Sequence, residues 1–149
     1  MEGPVKSGTT TDPKLNKLIP AWKGLRSSVP FFGPIRNERD YTRMHALMEQ
    51  LLDVVGEDED HLLADLLDVI GVLVAQYEDE NTPGLLVESK PLEVLKFLME
   101  QHGLKQSDLR SEIGTQGVVS EILSGNRQIN ARQAKALAKR FGVSPAVFL

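Results

Sequence analysis

The stretch from Leu104 to Arg127, LKQSDLRSEIGTQGVVSEILSGNR, contains the side chains best suited to recognising another molecule. Four positions in it are small or able to form hydrogen bonds: Gln116, Gly117, Ser120 and Glu121. Gln can bond N6 and N7 of adenine together, Ser can reach base edges or phosphates, and Glu can accept a hydrogen bond from N4 of cytosine. Gly117 removes a side chain where a close approach to a duplex is needed. These residue types indicate contacts with base edges in the major groove of DNA.

Two short helices joined by a tight turn would hold these side chains. Ser107 is a suitable N-cap for the first helix, Gly114 suits the turn, and Thr115 is a suitable N-cap for the second. The second helix ends at Gly125 and has one apolar face, formed by Val118, Val119, Ile122 and Leu123. This pattern is typical of a helix-turn-helix, whose second helix enters the groove. Three flanking residues suit a clamp on the DNA backbone: Lys105, Gln106 and Arg127.

The alternative for this segment is an ordinary helical hairpin with a solvated polar face. The charge distribution is consistent with DNA binding, although the whole chain has a net charge of −4. Residues 91–149 carry eight basic and five acidic side chains (net +3), and residues 1–35 carry five and two (net +3). Residues 36–90 carry four basic and fourteen acidic side chains (net −10). The basic end suits a polyanion and the acidic middle suits a basic partner protein, with solubility as the other explanation.

The pattern along the chain predicts an all-α protein in four parts. Residues 1–13 are small and polar and are expected to form a disordered tail. Residues 14–80 are expected to form a helical region that binds a partner or dimerises. Residues 81–90 read as a linker, and residues 91–149 as a five-helix DNA-binding domain.

Within residues 14–80, apolar residues recur every three or four positions over 38–55 and 61–79, which predicts an antiparallel helical hairpin. Asn37 and Asp60 are the expected N-caps. The second helix is apolar on two adjoining faces, so it needs a third surface: the N-terminal helix, a second copy of the chain or another protein. The residues expected to make that contact are Tyr41, Met44, Met48, Leu66, Ile70 and Tyr77. Core packing is the alternative for the two methionines.

Catalysis, metals and cofactors are not indicated. His45, His61 and His102 lie on separate elements, and no pair has metal-ligand spacing. The acidic residues before His61 read as a solvated loop, and no nucleophile–base set is evident. The chain has no cysteine, its N-terminus is polar, and no apolar run is long enough to cross a membrane. We expect a cytoplasmic protein with no membrane partner.

Residues 35–149 resemble a known family. Gln106, the run VSEILSGNR and the ending FGVSPAVFL resemble the lambda-repressor-like (XRE) helix-turn-helix domains. With IRNERDYTRMHALMEQLLD, a helix ending QYED and PLEVLKFLMEQHGLKQSDLRSEIG before them, the order resembles HigA-type antitoxins of type II toxin–antitoxin systems. The resemblance implies an antitoxin that binds a HigB-like, RelE-type messenger-RNA interferase. It also implies repression of the antitoxin's own operon by a homodimer on double-stranded operator DNA.

The resemblance also implies roles for individual residues. Base edges would be met by Gln116, Gly117 and Ser120, and phosphates would be held by Lys105, Gln106, Ser107, Thr115 and Arg127. Glu121 is acidic where many relatives are basic or neutral, and the first 30 or so residues extend beyond the family's usual start. The alternative function is a free-standing XRE-type regulator whose N-terminal region dimerises or senses a ligand. The lack of convergent polar groups between Tyr41 and Tyr77 favours the antitoxin.

Overall fold

The computed structural model describes residues 12–81 and 90–149, and the chain divides into two compact units, residues 1–33 and residues 34–149. Most of the predicted tail (residues 1–11) and of the predicted linker (residues 82–89) lies outside the described residues. The end of the predicted tail is wrong, because Asp12 and Pro13 begin a helix. The Asp12 side chain accepts the Lys14 N–H at 2.9 Å, and Pro13 occupies the first turn, where no N–H is needed.

The described part of the first unit is this helix and the turn after it. Helix α1 spans Pro13–Ser28 and runs through Pro20. None of its residues is buried, and its large apolar side chains are exposed: Leu15, Leu18, Ile19 and Trp22. After the helix, the Phe32 ring packs edge-to-face on Trp22 with centroids 6.0 Å apart, and Arg26 donates to the Phe32 carbonyl at 2.7 Å. These contacts close the turn against the helix end.

The second unit begins with the predicted helical hairpin, formed by α2 (Glu38–Val55) and α3 (Ala64–Asn81). Asn37 caps α2 by accepting the Asp40 N–H at 2.8 Å, and Gly56 ends it with a φ of 53°. The facing sides of the two helices form an apolar core, which contains Met44, Met48, Leu52, Leu67, Ile70 and Val74.

Helix α3 begins at Ala64 rather than at the predicted His61. The reason is local hydrogen bonding in the acidic loop: His61 Nδ1 accepts the Leu63 N–H at 3.0 Å. In the same loop, Asp58 Oδ1 accepts the Asp60 N–H at 3.1 Å. The predicted cap Asp60 therefore lies in a turn, and the His61 side chain takes the acceptor role.

Residues 90–149 contain the five predicted helical segments, which confirms the all-α fold. Three are α-helices, α4 (Pro91–Gln101), α5 (Gln116–Leu123) and α6 (Ala131–Phe141), and two are 3-10 turns, Gln106–Leu109 and Pro145–Phe148. Across the described ranges no residue is in a β-strand. The buried side chains of these segments form one core, which includes Val94, Leu95, Leu109, Val119, Ile122, Leu137 and Phe148.

The first helix of the predicted helix-turn-helix is shorter than expected and starts earlier. Lys105, rather than Ser107, is its N-cap residue, and the segment is a single 3-10 turn. Asp108 explains this, because its carboxylate folds back and accepts the Lys105 N–H at 2.8 Å. Leu109 is fully buried and anchors this turn to the core.

The hairpin packs directly on the C-terminal segments, through α2 against α6 and α3 against Pro145–Phe148. At this junction Arg132 forms an ion pair with Glu57 and donates its backbone N–H to the Gly56 carbonyl at 3.0 Å. Gly71 of α3 lies against Leu149 so closely that a Cβ there would be 2.8 Å from Leu149 Cδ1. Residues 34–149 therefore form one structural unit. The predicted boundary at residues 81–90 remains a prediction that the hairpin and the C-terminal segments have different functions.

Candidate nucleic-acid interface

Helix α5 presents the predicted base-contacting residues. Thr115 caps the helix, with its Oγ1 accepting the Val118 N–H at 3.4 Å. Val119 and Ile122 are 0% and 1% exposed, so they fix the side of α5 that faces the core. The remaining surface of the helix carries Gln116, Gly117, Ser120 and Glu121, all of them exposed. The polar residues are thus accessible on a helix whose orientation is set by its buried side.

The turn before α5 is held from α6. Gly114 adopts a φ of 136°, a conformation that favours glycine. The preceding carbonyl, that of Ile113, accepts hydrogen bonds from Gln133 Nε2 at 3.0 Å and from Arg132 Nη2 at 3.2 Å. Gln133 is only 3% exposed, and its side chain also accepts the Asn130 N–H at 2.9 Å. Two hydrogen bonds therefore fix the entry of the chain into α5.

Gln116, at the start of α5, is positioned by two side chains outside the helix. Its Nε2 donates to Gln106 Oε1 at 3.2 Å, and Arg110 Nη2 lies 3.5 Å from its Oε1. The amide of Gln116 is thereby oriented before any ligand binds. Gln106 uses its carbonyl oxygen in this contact, so its NH₂ group can still donate to a phosphate as predicted.

Arg110 is a candidate residue that sequence reasoning missed. It is exposed and lies in the turn between Leu109 and the start of α5. Spacing along the chain gives no signal for it, because its proximity to Gln116 depends on how the turn folds. The sequence showed only that Arg110 is basic and lies a few residues before the predicted recognition helix.

Glu121 and Arg127 are brought together by the turn that follows α5. Glu121 Oε2 lies 2.6 Å from Arg127 Nε, and both side chains are 49% exposed. The predicted cytosine acceptor and the predicted phosphate clamp therefore form one ion pair. Lys105, Ser107 and Thr115 are also exposed, as their predicted role in holding phosphates requires.

Three other basic residues of the C-terminal segments are engaged elsewhere. Arg140 donates to the Asp108 carbonyl at 2.7 Å and to Glu112 at 3.0 Å. Lys135 pairs with Asp53 of the hairpin, and this hydrogen bond raises the Lys135 pKa above its usual value, although desolvation partly opposes it. Since Arg132 is paired with Glu57, these three cations brace the fold. Lys105, Arg110 and Arg127 lie near α5, and Lys96 lines the same groove as Lys105 and Leu123.

The residues predicted to contact a partner fall into two groups. Met44, Met48 and Ile70 are each 0% exposed, so they form the core of the hairpin. Tyr41, Leu66 and Tyr77 are half-buried and reach the surface. Exposed apolar side chains that the prediction did not single out lie nearby, at Val54, Leu62, Val69 and Val72. The two apolar faces of α3 in the sequence were the signal for Val69 and Val72.

Tyr41 and Tyr77 form an aromatic and acidic cluster at the open end of the hairpin. Their rings stack with centroids 5.0 Å apart. Tyr41 donates to Glu78 at 2.7 Å, and Tyr77 donates to Glu38 at 3.3 Å. Burial, together with the Glu78 carboxylate, raises the Tyr41 pKa far above its usual value. The cluster therefore presents uncharged phenols and negative carboxylates to a partner.

No helix within the described ranges is long and apolar enough to cross a membrane. His61, the histidine next to the acidic loop, uses Nδ1 to accept a backbone hydrogen bond within the loop. Its role in the structure is to shape the start of α3.

Comparison with known proteins gives two family matches along the chain. The model described as "HigA antitoxin, N-terminal domain" matches residues 16–83, and the model described as "Helix-turn-helix" matches residues 95–148. The first match includes most of α1. The expectation that the first 30 or so residues extend beyond the family's usual start is therefore wrong, since this helix belongs to the family's N-terminal domain.

Curated relatives agree with these matches. The chain is 35% identical over 139 residues to "Antitoxin HigA" of Escherichia coli (strain K12), which covers 89% of this chain and 95% of that protein. "Antitoxin HigA" of Shigella flexneri gives the same values. Both matches confirm the resemblance to HigA-type antitoxins stated from the sequence. This chain belongs to the HigA antitoxin family and carries its helix-turn-helix in residues 95–148.

Proposed function

We propose that this chain neutralises a HigB-like, RelE-type messenger-RNA interferase by direct binding. We further propose that it acts in the cytoplasm as a homodimer that represses its own toxin–antitoxin operon. The observation that carries the proposal is the combination, in one compact unit, of an exposed hydrogen-bonding surface on α5 with a strongly acidic hairpin.

The DNA half of the proposal follows from the surface of α5. In a dimer, two copies of α5 would enter successive major grooves roughly 34 Å apart on a palindromic operator. Gln116, Gly117 and Ser120 would meet base edges. The backbone clamp would consist of Lys105, Gln106, Ser107, Thr115 and Arg127, to which we add Arg110 because of its position beside Gln116.

The toxin half of the proposal uses the outside of α3. Leu66, Val69 and Val72 are three residues apart and form a stripe, which we call the outer stripe; Val69 is 50% and Val72 is 65% exposed. Asp65 and Asp68 lie one turn before the two valines, so the stripe is flanked by negative charge. An apolar stripe between carboxylates suits a basic partner with apolar side chains.

The other predicted partner residues support this surface. Tyr41 and Tyr77 extend it to the open end of the hairpin. Met44, Met48 and Ile70 hold α2 against α3 from inside, so they act on the surface through the hairpin core. A basic toxin is the occupant we propose, and a second copy of the chain is the competing one.

One observation favours the alternative function, a free-standing XRE-type regulator that senses a ligand. A cavity of about 460 Å³ lies between the hairpin and the C-terminal segments. Its walls include Val55 and Leu67 on the hairpin side and Ile122 and Phe148 on the other. Capture of a small molecule there, with no protein partner, would support this alternative.

The test is a pull-down of the tagged full chain from its native host over a range of salt concentrations. The proposal predicts a small basic protein that co-purifies in fixed ratio, with the complex mass measured by light scattering. Val69→Asp combined with Val72→Asp should abolish its capture and leave DNA binding intact. Val54→Asp, which places one such charge on an exposed valine of α2, is the control and should change neither.

Each result leads to a different conclusion. If the double variant loses dimerisation and keeps the toxin, the outer stripe joins two copies of the chain. If no protein partner is captured at any salt concentration, the chain is a free-standing regulator. If DNA binding falls in parallel with toxin capture, the two surfaces are not separate.

A further inference from the structure

The ion pair between Glu121 and Arg127 joins two residues whose expected roles on DNA are opposed. A carboxylate near the groove repels phosphates, whereas a guanidinium attracts them. Glu121 Oε2 and Arg127 Nε are 2.6 Å apart, and each side chain is 49% exposed. The pair therefore lies where solvent reaches both partners, at the end of the helix that carries the proposed base-contacting residues.

The main chain around the pair is fixed independently of the Glu121 side chain. The Glu121 carbonyl accepts the Asn126 N–H at 2.9 Å, the Arg127 N–H at 3.2 Å and the Ser124 hydroxyl at 3.0 Å. Two of these bonds join backbone atoms and the third comes from the Ser124 side chain, so the turn after α5 is held without the Glu121 carboxylate. The carboxylate has a separate effect, which is to orient the guanidinium of Arg127.

The pairing leaves the phosphate-binding edge of Arg127 available. A guanidinium has five N–H donors in a plane, and two neighbouring donors can hold one phosphate. Glu121 uses only the Nε donor. Within residues 12–81 and 90–149, neither Nη group of Arg127 has a hydrogen-bond partner. The outer edge of the guanidinium can thus meet a phosphate while Nε stays on Glu121.

We propose that Glu121 is a positioning residue that sets the specificity of DNA binding, an inference that rests on the proposed binding of operator DNA. Glu121 holds the Arg127 guanidinium in one orientation, which fits a phosphate at one register of the operator. On non-operator DNA, where base contacts do not hold α5 in this register, the fixed guanidinium cannot follow the phosphates and the carboxylate repels them. Glu121 therefore lowers affinity for non-operator DNA more than it lowers affinity for the operator.

Glu121→Gln separates the charge from the shape of the side chain. Without the carboxylate, the Arg127 side chain is free to reach any phosphate and one source of repulsion is removed. We expect affinity for a scrambled duplex to rise about two- to fivefold, the size expected of a half-exposed charge interaction. Affinity for the operator should change by less than about twofold, because the gain in attraction is offset by the loss of orientation. The preference for operator falls accordingly.

The experiment compares two duplexes of equal length and composition at fixed salt concentration. One is the DNA upstream of this chain's own gene, and the other is its scrambled sequence. The full chain, Glu121→Gln, Arg127→Ala and the double variant are titrated by fluorescence anisotropy. Glu93→Gln, a neutralised exposed carboxylate on α4, is the matched control for net charge and should alter the preference for operator by no more than a measurement error.

Two readouts distinguish positioning from a general charge effect. In the Arg127→Ala background, Glu121→Gln should raise affinity for both duplexes by the same factor, because no guanidinium remains to be oriented. In ¹⁵N-edited spectra of the free protein, the Arg127 Nε–H signal should be resolved in the original chain and should shift toward that of a solvated arginine in Glu121→Gln. Far-UV circular dichroism checks that each variant is folded, and Glu121→Ala is a second variant for the same comparison.

An unchanged preference for operator in both Glu121 variants would overturn the inference and leave operator binding standing. The inference also fails if Glu121→Gln alters the preference equally with and without Arg127. If the original chain binds both duplexes with equal affinity, the operator proposal fails and this inference fails with it.

Discussion

Gly71→Ala adds one methyl group where α3 packs against the last residue of the sequence. The new Cβ would lie 2.8 Å from Leu149 Cδ1 and 3.1 Å from Leu149 Cβ, both closer than the van der Waals optimum of about 3.5–4.0 Å. Rotating the Leu149 side chain relieves only the first contact, because its Cβ is attached to the backbone. Overpacking costs about 1–3 kcal/mol, and the helix preference of Ala over Gly offsets up to about 1 kcal/mol. We expect a net loss of about 1 kcal/mol in the free energy of unfolding.

Gly117→Ala is the matched control, since it makes the same change in a helix with open space. There the nearest atom to a new Cβ is Thr115 Oγ1, at an ordinary 3.9 Å. This variant should be more stable than the original chain by up to about 1 kcal/mol, because Ala restricts the unfolded backbone more than Gly. If Gly117 also permits close approach to DNA, the same variant should bind the operator less tightly.

Urea unfolding followed by far-UV circular dichroism measures both effects. Adding Leu149→Ala to Gly71→Ala should recover part of the loss, with a coupling of at least about 0.5 kcal/mol between the two sites. Equal stabilisation by the two Gly→Ala changes would refute the packing of α3 on Leu149 in solution.

Three further predictions concern DNA contacts and pH. Gln116→Ala should cost about 1–3 kcal/mol at a single base-pair position of the operator, as measured with a panel of single-base operator variants; a uniform loss across the panel would contradict base reading. Lys105→Ala should weaken binding to every sequence and reduce the slope of log affinity against log salt by about one, whereas an unchanged slope would exclude a phosphate contact. Burial and, secondarily, the nearby Asp65 raise the pKa of Asp68 above its ordinary 3.8, so the folded state binds this proton more tightly than the unfolded state. The ionised Asp68 carboxylate therefore destabilises the folded state at pH values above its folded pKa. Asp68→Asn should stabilise the chain at pH 7 and have little effect at pH 3. Thermal melts at both pH values would check this.

Helix boundaries were predictable from sequence where one residue type decides them. Helix α2 begins after Asn37 and ends before Gly56, as predicted, because the cap and the positive φ are local properties. The start of α3 was not predictable in the same way, since Asp60 and His61 both offer an acceptor and the structure uses His61. The first helix of the helix-turn-helix was overestimated because Asp108 can close a turn as well as extend a helix.

The composition of the candidate interface was predictable, and its internal contacts were not. All nine predicted DNA-binding residues are exposed, which the polar face of α5 and its flanks indicated. The pairs Gln106–Gln116 and Glu121–Arg127 depend on turns whose geometry the residue types do not fix. For the hairpin, periodicity identified the apolar positions, but which of them face inward depends on how α2 and α3 pack. The same pattern therefore predicted both Met44 and Tyr41 as partner contacts, but Met44 is buried in the core and Tyr41 reaches the surface.

Arg132 determines which parts of such an antitoxin can be exchanged between relatives. Its guanidinium binds Glu57 of the hairpin and the Ile113 carbonyl at the entry to α5, and its backbone N–H binds the Gly56 carbonyl. A chimera that takes the hairpin from one homologue and α4 to α6 from another would lose the Arg132–Glu57 ion pair unless its parents supply both residues. Under the proposed function, a change of hairpin that alters toxin preference would have to keep a residue able to pair with Arg132 of α6. The segment to exchange between homologues is therefore the whole of residues 34–149, which keeps the helix-turn-helix together with its own hairpin.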